Sequence, residues 1–188
     1  MVNFSFISEL EGGRQTKGYV PTPDTSKSGV TIGTGIDLGQ MGSTDLKKLN
    51  LPTGLVQKLE PYLTLRKHEA VSKLEEVPLT VTEEQAEMID EAVKGPFVQR
   101  VAREYTNASA TNFDDLPEGV QTVIASVAFQ YGDLASRTPN FWRQVTKEDW
   151  KGAYANLRNF GDKYPTRRNK EAGLLKQAVE ADGLAQLA

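Results

Sequence analysis

The chain has 188 residues, no Cys, one His and a formal net charge of −3 from 22 basic and 25 acidic residues. That length suits one domain, residues 1–188, with two lobes and an adequate core; the absence of Cys excludes disulfides, thiol nucleophiles and Cys-bound metal, and a single His excludes a His-triad metal centre. The acidic balance supplies no positive field to hold nucleic acid or an anionic membrane, and neither a run of about 18 apolar residues nor a signal peptide is visible, so the product is expected to be made in the cytoplasm with no membrane insertion.

Asn3 is a candidate cap for a short helix with Phe4, Ile7 and Leu10 at helical spacing, and Gly12-Gly13 stop it just after Glu11. From Gly18 to Asp37 the pattern turns to short β-prone pieces, Gly18-Tyr19-Val20 and Gly29-Val30-Thr31-Ile32-Gly33, joined by a turn-rich stretch at residues 21–28. An irregular hairpin is expected there.

Beyond Gly42 the chain reads as helical. Short helices are expected from Ser43 or Thr44 to Leu49, from Thr53 to a break at Pro61, and from about Thr64 to Glu76. Thr82 and Gln85 form a capping-box pattern ahead of a helix with Ala86, Ile89 and Val93, which Gly95-Pro96 should interrupt before a segment running to Tyr105. Residues 117–131 are the most apolar and predict a central buried helix; Thr146 is a candidate cap for a helix over Lys147 to Phe160, and Thr166 for the last one. The fold class is therefore α+β: a mostly helical large lobe, a small N-terminal β-hairpin lobe and a cleft between them, the usual place for a ligand.

The first 40 residues carry the unusual features. A carboxylate at a helix C-terminus, as expected for Glu11, meets the negative end of the helix dipole, which disfavours its ionised form and suits a general acid. If the strand runs on to Asp37, its period of two puts Thr31, Gly33, Gly35 and Asp37 on one face. Two carboxylates in different environments are what glycosidic cleavage needs, one to protonate the leaving oxygen and one to act opposite it, and Thr31 could hold the attacking water. Small residues at 33 and 35 would let a sugar approach the backbone. Each feature also has an ordinary reading: solvated carboxylates, a β-forming Thr, and glycines marking a bulge. His68, flanked by Lys67 and Glu69, reads as solvated, and Trp142 and Trp150 as core. Arg167, Arg168 and Lys170 are too few for a nucleic-acid patch and read better as a helix start or as partners of a buried carboxylate.

Two separated blocks then match a known family. Leu10-Glu11-Gly12 with Gly29-Val30-Thr31-Ile32-Gly33-Thr34-Gly35-Ile36-Asp37, and far downstream Ala128-Phe129-Gln130-Tyr131-Gly132, Phe141-Trp142, the stretch from Trp150 to Leu157, and Pro165-Thr166-Arg167-Arg168, resemble the T-even-type phage lysozymes. Within that superfamily the resemblance is closest to the pesticin-like muramidase domains and endolysins. It implies a lysozyme-like fold and a hydrolase of the β-1,4 bond between N-acetylmuramic acid and N-acetylglucosamine in peptidoglycan glycan strands, without metal or cofactor.

By the same resemblance Glu11 takes the position of the catalytic acid, Thr31 that of the catalytic threonine, Gln130 that of a substrate-contacting glutamine, and Arg167 or Arg168 that of an arginine paired with the catalytic Glu. The second carboxylate has two candidates. Asp37 matches the pesticin-like pattern, in which the Asp follows the Thr; Asp24 would match the T-even pattern only with one extra residue in the spacing. The expected role is a monomeric endolysin that reaches the wall from the cytoplasm through a holin pore, with a prophage remnant and a secreted antibacterial effector or bacteriocin fragment as the other modes of delivery. The alternatives are a lytic transglycosylase and a non-catalytic peptidoglycan-binding module of the same fold.

Overall fold

The structure is a computed structural model that describes residues 1–187. The chain falls into two compact units, Met1–Ile7 with Phe97–Ala188, and Ser8–Pro96.

The Ser8–Pro96 unit contains the sheet. Strands β1 (Gln15–Tyr19), β2 (Thr31–Gly33) and β3 (Ile36–Asp37) pair antiparallel in chain order. Around them lie the end of α1 (Phe4–Leu10), then α2 (Ser43–Lys48), α3 (Thr53–Leu59), α4 (Lys67–Glu76) and the first half of α5 (Glu83–Ala108). Val30, Ile32, Ile36 and Leu38 from the hairpin bury against Leu46, Leu55, Leu59, Ala86 and Ile89, giving this unit its own apolar core.

The other unit is helical. It comprises the rest of α5, α6 (Glu118–Tyr131), α7 (Leu134–Arg137), α8 (Pro139–Thr146), α9 (Trp150–Arg158) and α10 (Pro165–Ala181). As the apolar repeat predicts, α6 is central, with every residue from Gly119 to Ala128 buried. Trp150 is in the core and Trp142 packs against it.

Local signals account for many boundaries. Asn3 caps α1 by accepting from the Phe6 amide at 3.0 Å, and Thr82 and Gln85 exchange the two hydrogen bonds of a capping box, both 3.1 Å. Five expectations need correction. Helix α5 is not interrupted at Gly95-Pro96 but runs through 26 residues with Pro96 inside. Proline removes one backbone bond, at a cost of about 3 kcal/mol. Ile89 and Ala86 on one side of it, and Val101 and Tyr105 on the other, are fully buried, and that burial outweighs the loss. Thr146 ends α8 rather than capping the next helix, because its hydroxyl bonds back to the Trp142 carbonyl at 2.8 Å; Asp149 caps α9 instead, accepting from the Gly152 amide. Helix α10 starts at Pro165, ahead of Thr166, with proline suited to the first helical turn. Helix α4 begins at Lys67, three residues later than expected.

The last correction concerns the hairpin. No single strand carries Thr31, Gly33, Gly35 and Asp37 along one face. Gly33 and Gly35 adopt φ of +59° and +74°, the chain folds back between them, and Asp37 returns on β3 as the cross-strand partner of Thr31. The two residues are neighbours, but through pairing rather than alternation.

Candidate active site

Glu11 stands just beyond the last residue of α1, where the chain leaves the helix through two glycines with φ of +97° and +91°. The amides of Glu11 and Gly13 both donate to the Ser8 carbonyl, at 3.0 and 2.9 Å, which closes the helix end and fixes the backbone that carries the carboxylate. Glu11 Oε2 lies 2.8 Å from Lys94 Nζ on α5, and the two side chains are 27% and 12% exposed. The carboxylate is thus partly desolvated and charge-paired.

Thr31 and Asp37 meet around the backbone of one residue, Gly29. Asp37 Oδ1 accepts from the amides of Gly29 and Gly39, both at 2.9 Å, and so caps the single turn Leu38–Gln40. Thr31 is buried, 3% exposed, and its hydroxyl donates to the Gly29 carbonyl at 3.3 Å. With its proton committed there, Thr31 Oγ1 offers only lone pairs to a third group. Asp37 Oδ2 takes a 3.4 Å contact from Gln40 Nε2, whose own Oε1 is held by Arg66 at 3.0 Å. Acceptor capacity remains on both Thr31 Oγ1 and Asp37 Oδ2, each of which can accept a hydrogen bond from water. Gly29 has to be glycine: a Cβ there would lie 2.2 Å from the Leu65 carbonyl oxygen and 2.6 Å from Gly39 Cα.

A third group joins these two. Asp90 on α5 is 1% exposed and accepts from the Thr34 amide at 2.7 Å, the Thr34 hydroxyl at 2.6 Å and Arg14 Nε at 3.0 Å. The hydroxyls of Thr34 and Ser8 are hydrogen-bonded at 2.9 Å. Lys94 and Asp90, one helical turn apart on α5, were absent from the sequence-derived candidates. Both fall inside the helix expected ahead of Gly95-Pro96, but nothing local marks their partners, which lie 56 and 83 residues away in sequence.

Asp24, the competing carboxylate, pairs with His68 Nε2 at 3.0 Å; the side chains are 84% and 71% exposed, so His68 is solvated as expected. Gln130 and Arg167 belong to the helical unit. Gln130 Oε1 accepts from Arg168, while Arg167 donates to Glu171 at 3.1 Å and to the Ser126 hydroxyl and carbonyl at 3.0 and 3.1 Å. Both arginines therefore pair with the buried carboxylate of Glu171, as their reading as carboxylate partners anticipates. Arg168 also bonds Asp162 at 2.9 Å and stacks on Phe160. Burial works against the charge of Arg168, but Glu171 and Asp162 outweigh it and raise its pKa. Burial likewise pushes Asp162 up, and hydrogen bonds from Arg168, Tyr131 and the Tyr164 amide, with the Arg168 charge, bring it net below the usual Asp value. Tyr131, buried and donating to Asp162, is raised.

Among the described residues no group of three or more His, Cys, Asp or Glu could hold a metal ion, and no helix is long and apolar enough to cross a membrane.

A family model described as pesticin, the C-terminal bacterial toxin homologue of phage lysozyme, matches residues 1–151. Among solved structures, a crystal structure of a point mutant of P22 lysozyme is similar at 16% identity with a TM-score of 0.54, over 93% of this chain and 97% of that one. That likeness establishes a lysozyme-like fold. No curated protein matches the chain.

Proposed function

The chain belongs to the pesticin family of phage-lysozyme homologues, whose membership supports a lysozyme-type peptidoglycan hydrolase, and we propose that it is an endo-β-N-acetylmuramidase cleaving the β-1,4 bond between N-acetylmuramic acid and N-acetylglucosamine. The observation that carries this reading is the pairing of Thr31 with Asp37 across a hairpin whose tip is bonded, through Thr34 and Ser8, to the helix end bearing Glu11.

In this mechanism Glu11 protonates the glycosidic oxygen. Lys94, 2.8 Å away, balances the carboxylate left behind when the proton has gone. A water accepted between Asp37 Oδ2 and Thr31 Oγ1 loses a proton to Asp37 and attacks the anomeric carbon from the opposite face, so the configuration inverts. Asp37 is favoured over Asp24 because Asp37 is fixed beside Thr31, whereas Asp24 stands largely in solvent beside His68. Gln130 and Arg167 are substrate contacts in the same proposal, carried by the resemblance of their surrounding motifs. The protein acts as a monomeric muramidase domain, as an endolysin released to the wall through a holin.

The test is mass spectrometry of purified peptidoglycan digested by wild type and by Glu11→Gln. Reducing-end N-acetylmuramic acid from wild type, with turnover reduced about 10²–10⁴-fold in the variant, is the expected result. Anhydro products would instead make the protein a lytic transglycosylase, and no products from wild type would leave a binding module.

A further inference from the structure

We infer that Asp90 is a positioning residue for the hydrolytic site: its buried carboxylate, acting through Thr34, sets the Thr31–Asp37 hairpin against the turn that carries Glu11. The inference rests on the muramidase reading of that site.

Asp90 is almost completely buried, and a buried carboxylate is stable only when donors surround it. Here the donors come from two segments. The Thr34 amide and hydroxyl belong to the turn between β2 and β3, midway between Thr31 and Asp37. Arg14 Nε belongs to the segment immediately after Gly12-Gly13, two residues before which the chain leaves α1. One carboxylate therefore grips the chain on the far side of Glu11 and the hairpin tip together.

The link also runs directly to Glu11. The Thr34 hydroxyl, which donates to Asp90, is hydrogen-bonded to the Ser8 hydroxyl, and the Ser8 carbonyl receives the Glu11 amide. One turn further along α5, Lys94 holds the Glu11 carboxylate itself. A single helix thus presents one residue to the hairpin and another to the acid, so α5 sets their separation together with the Gly12-Gly13 turn between them.

Packing supports the same assignment. A Cβ on Gly33 would fall 2.5 Å from Asp90 Oδ1, and Gly33 has φ of +59°. The hairpin backbone is seated directly on the carboxylate, closer than any side chain at 33 would allow. Asp90 touches neither the proposed acid nor the proposed base, so its effect on turnover has to pass through geometry.

The experiment compares Thr34→Val, Thr34→Ser and Asp90→Asn with wild type on a defined soluble peptidoglycan oligosaccharide, well below each protein's Tm. Thr34→Val keeps the side-chain volume and removes the hydroxyl that Asp90 and Ser8 share. It should lower kcat roughly 10-fold or more, in line with the sensitivity of reaction rates to small misplacements, while KM stays within about 2-fold. Thr34→Ser restores the hydroxyl and should recover most of kcat; Asp90→Asn should resemble Thr34→Val if it folds. Wild-type kcat in Thr34→Val, a change confined to KM, or failure of Thr34→Ser to recover kcat each overturns the inference while leaving the muramidase reading intact. No turnover by wild type overturns the muramidase reading, and this inference with it.

Discussion

Thr31 and Asp37 face each other across the β2–β3 ladder and both grip the backbone of Gly29, the Asp accepting its N–H and the Thr donating to its C=O. One glycine thereby fixes the orientation of two side chains, and the oxygens left over point to a single task. Asp37 spends Oδ1 on backbone amides and keeps Oδ2 for a further partner; Thr31 spends its proton and keeps lone pairs.

That division separates Asp37 from Asp24 experimentally. In Asp37→Asn the amide oxygen can still accept from Gly29 and Gly39, so the cap and the fold survive. The base is gone, and turnover should fall about 10²–10⁴-fold with Tm nearly unchanged. Asp24→Asn changes an exposed partner of an exposed His, not of Thr31, and should leave turnover near wild type. Assays of both variants on peptidoglycan, with melting curves alongside, check this. A large loss in Asp24→Asn with none in Asp37→Asn would reverse the assignment.

Gly29→Ala tests the shared residue. The new methyl group meets backbone, the Leu65 carbonyl at 2.2 Å and Gly39 at 2.6 Å, so relief requires moving main chain. Overpacking of this kind costs about 2 kcal/mol. For a chain of this size that corresponds to a Tm lower by roughly 4–8 °C. Because the displaced backbone of Gly29 orients both Thr31 and Asp37, turnover measured far below Tm should also fall, about 10-fold or more. A variant with lowered Tm and full turnover would show that the Gly29 clamp serves stability alone.

How much of this was legible in the sequence depends on how local each cause is. Glu11 at a helix end was legible because Asn3 and Gly12-Gly13 bracket seven residues, and both signals act within one turn of the chain. That Thr31 and Asp37 share a side was expected from alternation and their roles from resemblance, but their direct cross-strand pairing was not legible. Alternation implied an extended strand, and nothing in a Gly-x-Gly pair distinguishes a bulge from a chain reversal until φ is known at both positions. Asp90 and Lys94 were not legible, since their partners lie 56 and 83 residues away in sequence. A Pro inside an amphipathic pattern argues for a helix end, and only burial on both sides of Pro96 outweighs that local preference. Arg167 and Arg168 were read as partners of a buried carboxylate, but which carboxylate, Glu171 on the next turn of the same helix, required the packed structure.

The helical unit provides a pH test of that packing. Asp162 is held below its usual pKa because Arg168, Tyr131 and the Tyr164 amide favour its charged form more than burial disfavours it. A carboxyl whose pKa is depressed on folding stabilises the native state fully at pH above its unfolded value, near 3.8, and loses that contribution as pH falls through the folded value. Asp162→Asn abolishes this dependence while keeping the shape of the side chain. The Tm of wild type should therefore exceed that of the variant from neutral pH down to about pH 5, and the gap should close as pH falls below about 4. Other carboxylates that protonate in the same range lower both curves together, so the difference between the two proteins is the quantity to read. Scanning calorimetry of the pair from pH 7 to about pH 2.5 checks it, and a gap that stays constant over that range would mean that Asp162 contributes through shape and neutral hydrogen bonding rather than through its charge.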